Sequence, residues 1–212
     1  MAKSPNHSGP NGIQRDEAEL VRQAQTGDFK AFGRLIEQYR PKIYGLAMRL
    51  AKNREDAEDV FQETFLKAVD NIQRFRGDSS FGTWLYTIAL NIVRARYKNR
   101  DRRELLPLDA YLPDHAPHGK TEPALADWND PLAKLTADEL RGRLQAALDR
   151  LPLKYRMPFV LRYSEDLPVA EVAKVLGLSV AATKSRILRA RLAMQTFLND
   201  LIVEDKSNGR MS

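Results

Sequence analysis

The chain has 212 residues, a formal net charge of +6 and no cysteine. At roughly 100–200 residues per domain, that length accommodates one or two small domains. The missing thiols exclude a disulfide framework, thiolate zinc sites and cysteine nucleophiles, and they suit a reducing cytoplasm. The positive balance suits a polyanionic partner without choosing between nucleic acid and an anionic membrane. Apolar runs are short, since 44–50 is cut by Arg49 and 84–93 carries Asn91. Both fall below the roughly 18 apolar residues of a membrane span. The N-terminal residues are polar and carry no secretion signal, so 1–14 read as a disordered tail.

Alternating β-branched runs are nearly absent, whereas helical apolar spacing recurs throughout. The first ordered block is 15–103. Its first helix is expected over 16–25, stopped by Thr26-Gly27-Asp28. Asp28 can cap a second helix with Phe29, Phe32, Leu35, Ile36 and Tyr39 on one face. Pro41 suits the first turn of a further segment carrying Ile43, Leu46, Ala47 and Leu50. Residues 53–56 form a polar break and cap before a long helix over 56–71. A loop at 77–80 precedes a helix over 83–100. Between 104 and 131 the character changes, with Pro107, Pro113, Pro117, Pro123 and Pro131 marking a linker. A second helical block spans 132–203, and 204–212 read as a frayed tail. The fold class is therefore all-α, with two small helical domains joined by a proline-rich linker.

The second block contains a helix-turn-helix near residues 167–193. Pro168 suits a first turn, and Val169, Val172, Ala173 and Leu176 share an apolar face. Gly177 closes that helix, Leu178 fills the corner, and Ser179 can cap the next helix. Val180, Thr183, Ile187 and Ala190 are expected inward, and the small Ala170 and Ala173 allow a close crossing. Lys184, Ser185, Leu188 and Arg189 point outward, flanked by Arg186 and Arg191. Such a helix can enter a major groove, where Lys and Arg read guanine edges. The alternative is an ordinary helical hairpin with a solvated basic face; the Gly177-Leu178-Ser179 turn together with the polarity of the outward face favours DNA binding over it.

Two features stand out in the first block. On the helix over 56–71, Ala57, Val60, Phe61, Thr64, Phe65 and Ala68 suit the core. Asp56, Asp59, Gln62, Glu63 and Leu66 gather on the other side at three- and four-residue spacing. A solvated acidic face explains most of that set; a leucine among polar groups points to a protein contact. The second feature is the polar loop Gly77, Asp78, Ser79 and Ser80, bracketed by Phe75 and Phe81. It precedes Trp84, Tyr86, Asn91 and Tyr97, and then a basic run of Arg94, Arg96, Lys98, Arg100, Arg102 and Arg103. Cations interleaved with aromatics suit single-stranded nucleic acid. Trp84, Leu85, Ile88 and Ile92 are read as core. The loop and Asn91 could hold an extruded base by its edge.

These segments resemble those of a known family. Residues 56–68, Asp-Ala-Glu-Asp-Val-Phe-Gln-Glu-Thr-Phe-Leu-Lys-Ala, resemble the core-polymerase-binding helix of bacterial sigma factors. Residues 75–91, Phe-Arg-Gly-Asp-Ser-Ser-Phe-Gly-Thr-Trp-Leu-Tyr-Thr-Ile-Ala-Leu-Asn, are similar to their promoter-melting segment. Residues 151–156, Leu-Pro-Leu-Lys-Tyr-Arg, and the helix-turn-helix resemble their upstream-element-binding domain. A short linker without an intervening domain matches the extracytoplasmic-function (group IV) sigma factors. The resemblance implies that Asp56, Asp59, Gln62, Glu63 and Leu66 meet the clamp helices of the polymerase β′ subunit, with further contact to the β subunit. It implies that Phe75 and Gly77 to Ser80, with Asn91, capture a base flipped from the downstream promoter element. Arg94, Arg96, Lys98 and Arg100 would hold nearby DNA, and Ser179, Lys184, Ser185, Leu188 and Arg189 would read the upstream element. It also implies an anti-sigma factor as partner. Two local departures bear on the promoter sequence read: Ala181-Ala182-Thr183 stands where many members have Gly-Thr-Val, and Pro168 replaces a common Ser cap.

No catalytic constellation, metal cluster or cofactor motif is legible. The histidines His7, His115 and His118 lie in the expected tail and linker. The expectation is a cytoplasmic initiation subunit that performs no covalent chemistry. The alternative is a stand-alone helix-turn-helix regulator that binds palindromic DNA as a dimer.

Overall fold

The structure is a computed structural model that describes residues 10–97 and 137–208, with side chains over 16–97 and 138–200. Among the described residues all regular structure is helical. The chain divides into two compact units, Met1–Ala95 and Arg96–Ser212. The expected linker over 104–131, with Lys98, Arg100, His7, His115 and His118, lies outside the described residues.

The first unit contains α1 (Pro10–Gln25), α2 (Phe29–Leu50), α3 (Arg54–Asn71), a 3₁₀ turn (Ile72–Arg74) and all but the last two residues of α4 (Phe81–Tyr97). Helix α1 starts six positions earlier than its apolar pattern indicated, on Pro10, a residue whose fixed φ and missing N–H suit a helix start. Gly27, at φ 95°, turns the chain out of α1. Asp28 then caps α2, accepting from the N–H of Lys30 at 2.8 Å and of Ala31 at 3.2 Å.

Pro41 does not divide α2, contrary to the expectation of two segments. An interior proline removes a ladder bond and costs about 3 kcal/mol. Here Leu35, Tyr39, Ile43, Leu46 and Leu50 form one buried stripe running past it. Burying such side chains stabilises by roughly 1.5–3 kcal/mol each, so the stripe outweighs the kink. Pro41 and Glu37 are both exposed, which leaves the orphaned carbonyl of Glu37 on the solvent side. Phe29, expected on the apolar face, is 84% exposed. As the first helical residue it points back beyond the packed part of α2.

Helix α3 is capped by Asn53, whose side chain accepts from the Asp56 N–H at 2.7 Å. Ala57, Val60, Thr64, Phe65 and Ala68 are buried. Phe61, also expected in the core, is half-buried and packs edge-on against Tyr44 and Phe65, with centroids 5.7 and 5.2 Å apart. Helix α4 begins two residues before the expected Thr83, because Ser80 caps it: the Ser80 hydroxyl accepts from the Thr83 N–H at 3.1 Å. Leu85 and Ile92 are buried, whereas Trp84 and Ile88 lie only half-buried at the edge of the core. Gly82 is packed so closely that an added Cβ would stand 2.6 Å from Cε1 of Tyr39. Gly82→Ala is expected to lower unfolding free energy by about 1–3 kcal/mol, as overpacking does, measured by urea denaturation. A change below about 0.5 kcal/mol would mean that Tyr39 moves aside freely.

The second unit contains α5 (Ala137–Arg150), α6 (Leu153–Tyr163), α7 (Val169–Leu176) and α8 (Val180–Asn208). Helix α8 is its spine, burying Ile187, Ala190, Ala193, Met194, Phe197 and Leu198 against the others. It continues to Asn208, into the stretch expected to fray. Arg156 is buried at the α5–α6 junction, 4% exposed. Its guanidinium donates to the Asp149 carbonyl at 2.7 Å, an orphan acceptor in the last turn of α5, and to the Leu151 carbonyl at 3.0 Å, just past that helix.

Candidate nucleic-acid and polymerase interface

Helix α3 separates its two faces as its spacing dictates. Opposite the buried set, Asp59 and Gln62 are exposed, Leu66 is 66% exposed, and Asp56 and Glu63 are half-buried. Glu63 pairs with Lys67 at 2.9 Å. Val69, 42% exposed, continues the apolar character of Leu66 one turn on. Beside this face Gln62 lines a groove of about 510 Å³ between α2 and α3, together with Arg40, Tyr44 and Phe61.

The segment from Phe75 to Ser80 leaves the 3₁₀ turn and is anchored at both ends. Phe75 is half-buried against Phe81 and Trp84, with ring centroids 5.7 and 5.2 Å away. Gly77 adopts φ 78°, a conformation that favours glycine. At the far end the Ser80 hydroxyl lies 2.8 Å from that of Thr83, so it is engaged in capping α4. Between the anchors Arg76, Gly77 and Asp78 are exposed.

This loop and α1 border an open cavity of about 550 Å³. Phe75, Gly77, Ser79 and Ser80 line one side, and Glu17, Val21, Arg22 and Gln25 line the other. The α1 residues were not legible as site residues. Glu17 accepts from the Tyr39 hydroxyl at 2.5 Å. Burial, and then the hydrogen bond to Glu17, push the Tyr39 phenol above its ordinary range, so it remains a donor.

Asn91 does not line this cavity. It lies ten residues into α4, about 15 Å along the helix from Phe81. Its side chain is exposed and accepts from Arg94 at 3.2 Å. Arg96 is exposed one turn further on. Asn91, Arg94 and Arg96 form a polar stretch on α4 beyond the residues that line this cavity.

In the second unit the turn between α7 and α8 has the geometry its residues indicate. Gly177 is left-handed at φ 65°, and the Ser179 hydroxyl accepts from the Ala182 N–H at 3.1 Å. Lys184 and Ser185 are exposed, and Leu188 and Arg189 are half-buried. Pro168 precedes the first helical residue of α7 as its cap and makes no side-chain hydrogen bond. Thr183, Ile187 and Ala190 are buried as expected, but Val180 is 45% exposed. As the first residue of α8 it projects back past the turn. Ala170 is exposed, so the close helix crossing rests on Ala173, 3% exposed.

Sequence comparison matches residues 35–103 to Sigma-70 region 2 and residues 141–194 to Sigma-70, region 4. The RNA polymerase sigma-H factor of Pseudomonas aeruginosa is 35% identical over 191 residues, covering 90% of this chain and 98% of that protein. The chain is an extracytoplasmic-function sigma factor. The ECF RNA polymerase sigma factor SigW of Bacillus subtilis is 34% identical over 85% of this chain and 96% of its own length. Among solved structures, CnrH in complex with the cytosolic domain of CnrY is 27% identical, with TM-score 0.56, over 87% of this chain and 98% of that one. A Bartonella quintana sigma factor RpoE, solved with the anti-sigma factor NepR, shares the fold at 24% identity and TM-score 0.58, over 80% and 98%.

This sigma factor directs RNA polymerase to promoters and is not an enzyme. Region 2 covers the first unit from Leu35 onward, with the α3 face and the loop. Region 4 covers the helix-turn-helix. Among the described residues no helix is long and apolar enough to cross a membrane, and no acidic or histidine cluster could hold a metal ion.

Proposed function

We propose that α3 docks on the β′ clamp helices of core polymerase through Asp56, Asp59, Gln62, Glu63 and Leu66. The cavity beside the Phe75–Ser80 loop then takes one base of the melted non-template strand. Asn91, Arg94 and Arg96 hold DNA about 15 Å further along α4, joined by Lys98 and Arg100. Helix α8 enters the major groove of the upstream element with Lys184, Ser185, Leu188 and Arg189, while Ser179 sets its start. Val180 presents an apolar group at that start that suits a thymine methyl. The proline-rich stretch 104–131 tethers the two units, so engagement of one raises the effective concentration of the other.

The observation that carries this reading is the presence, in one unit, of a solvent-facing Leu66 among polar groups and a cavity large enough for a nucleobase. The protein works in the cytoplasm, where the polymerase is. An anti-sigma factor, the kind of partner solved with the Bartonella quintana sigma factor, would find an apolar footing at Leu66 and Val69. In vitro transcription tests the reading directly. Purified chain added to core polymerase is expected to give transcripts starting at discrete sites on genomic promoter fragments. Absence of discrete starts across a range of salt would sink it.

A further inference from the structure

The cavity beside the Phe75–Ser80 loop has a wall that lies outside the segment matched to Sigma-70 region 2. That segment begins at residue 35, whereas Glu17, Val21, Arg22 and Gln25 come from α1. Gln25 does more than line the space. Its amide nitrogen donates to the carbonyl of Ile72 at 3.1 Å and to that of Phe75 at 2.7 Å. These two carbonyls bracket the 3₁₀ turn from which the loop departs. A side-chain amide has two N–H donors, and both are used here on the backbone of a segment 47 and 50 residues away.

The loop between its anchors has no regular structure, and Arg76, Gly77 and Asp78 are exposed to solvent. The direction in which it leaves Phe75 is therefore set by whatever fixes the Phe75 peptide. The Phe75 ring is held by Phe81 and Trp84, and its backbone by Gln25 and the turn bond to Ile72 at 3.1 Å. The opposite wall is fixed too, because Glu17 is tied to the buried Tyr39. A pocket that discriminates bases needs its walls held to within a fraction of an ångström.

We propose that Gln25 is a positioning residue for promoter reading: by holding the Ile72 and Phe75 carbonyls it sets the aperture between α1 and the loop, and with it the choice of base. This inference rests on the proposed capture of a base by the loop. Gln25→Met keeps the length and volume of the side chain and removes both donors. Gln25→Lys keeps a donor that reaches the same carbonyls.

The test is transcription by holoenzyme on a promoter library randomised in both the upstream and downstream elements, each template carrying a transcribed barcode, with the barcodes in the RNA counted. The wild-type protein is expected to enrich particular bases in both elements. Gln25→Met is expected to lose about tenfold of the enrichment at one downstream position and to retain the upstream preferences. Gln25→Lys is expected to restore most of that loss. Unchanged downstream enrichment in Gln25→Met overturns the inference and leaves base capture standing. A uniform loss across both elements assigns Gln25 a purely structural role and also overturns it. A wild-type protein with no downstream preference overturns the base-capture reading itself, and this inference with it.

Discussion

Leu66→Asp is expected to remove most of the affinity for core RNA polymerase while leaving the fold unchanged. Leu66 is 66% exposed, on the side of α3 opposite Val60 and Ala68, so its loss empties no cavity. At the centre of a docked surface an aspartate would be desolvated without a counter-charge. Such a group costs about 2–4 kcal/mol, or roughly 30- to 1,000-fold in dissociation constant. Gln62→Ala with Glu63→Ala should act in the same direction with a smaller effect, about tenfold. The Glu63–Lys67 pair is itself exposed and contributes little to folding. Fluorescence anisotropy of labelled protein titrated with core polymerase measures the loss. Binding of duplex upstream DNA by the same variant reports whether the second unit is intact. An affinity within twofold of wild type would remove α3 from the polymerase interface.

The division of α3 into two faces was legible because a helix interior repeats every three to four residues, and Ala57, Val60, Thr64 and Ala68 obey that period. The turn of the helix-turn-helix was legible for a different reason. Gly177 and Ser179 are residue types that a left-handed closure and a helix cap demand locally. Pro41 was misread because a local rule met a tertiary one: the stripe from Leu35 to Leu50 outweighs the kink. Phe29 and Val180 were misread because each is the first residue of its helix, where apolar spacing continues but packing does not. The part played by α1 could not be read at all. Before Thr26-Gly27, Gln25 looks like any last residue of a helix. Only the folded chain brings its amide to Ile72 and Phe75.

Arg156 makes the second large effect calculable. The tyrosine–arginine pair 155–156 lies in a segment that reads as the entry to the second unit, yet no periodicity rule assigns the arginine a buried role. In the fold it closes α5 from outside the helix. Four donor–acceptor contacts converge on Asp149 and Leu151, two to the Leu151 carbonyl, one to the Asp149 carbonyl and one to the Asp149 carboxylate at 3.1 Å. The carboxylate is 43% exposed, so the ion pair itself is a minor contributor. The carbonyls matter more, since each would be left without its charged donor. Arg156→Met should therefore lower the stability of the second unit by about 3 kcal/mol. For the 72 residues over 137–208 of this unit, at roughly 0.05–0.15 kcal/mol per residue, that is about a quarter or more of the total stability. Urea denaturation should show an early transition for the second unit and an unshifted one for the first. Transcription should fall on promoters that depend on the upstream element, with polymerase binding through α3 retained. A loss below about 0.5 kcal/mol would mean that water replaces the guanidinium at the end of α5, and that the helix needs no cap there.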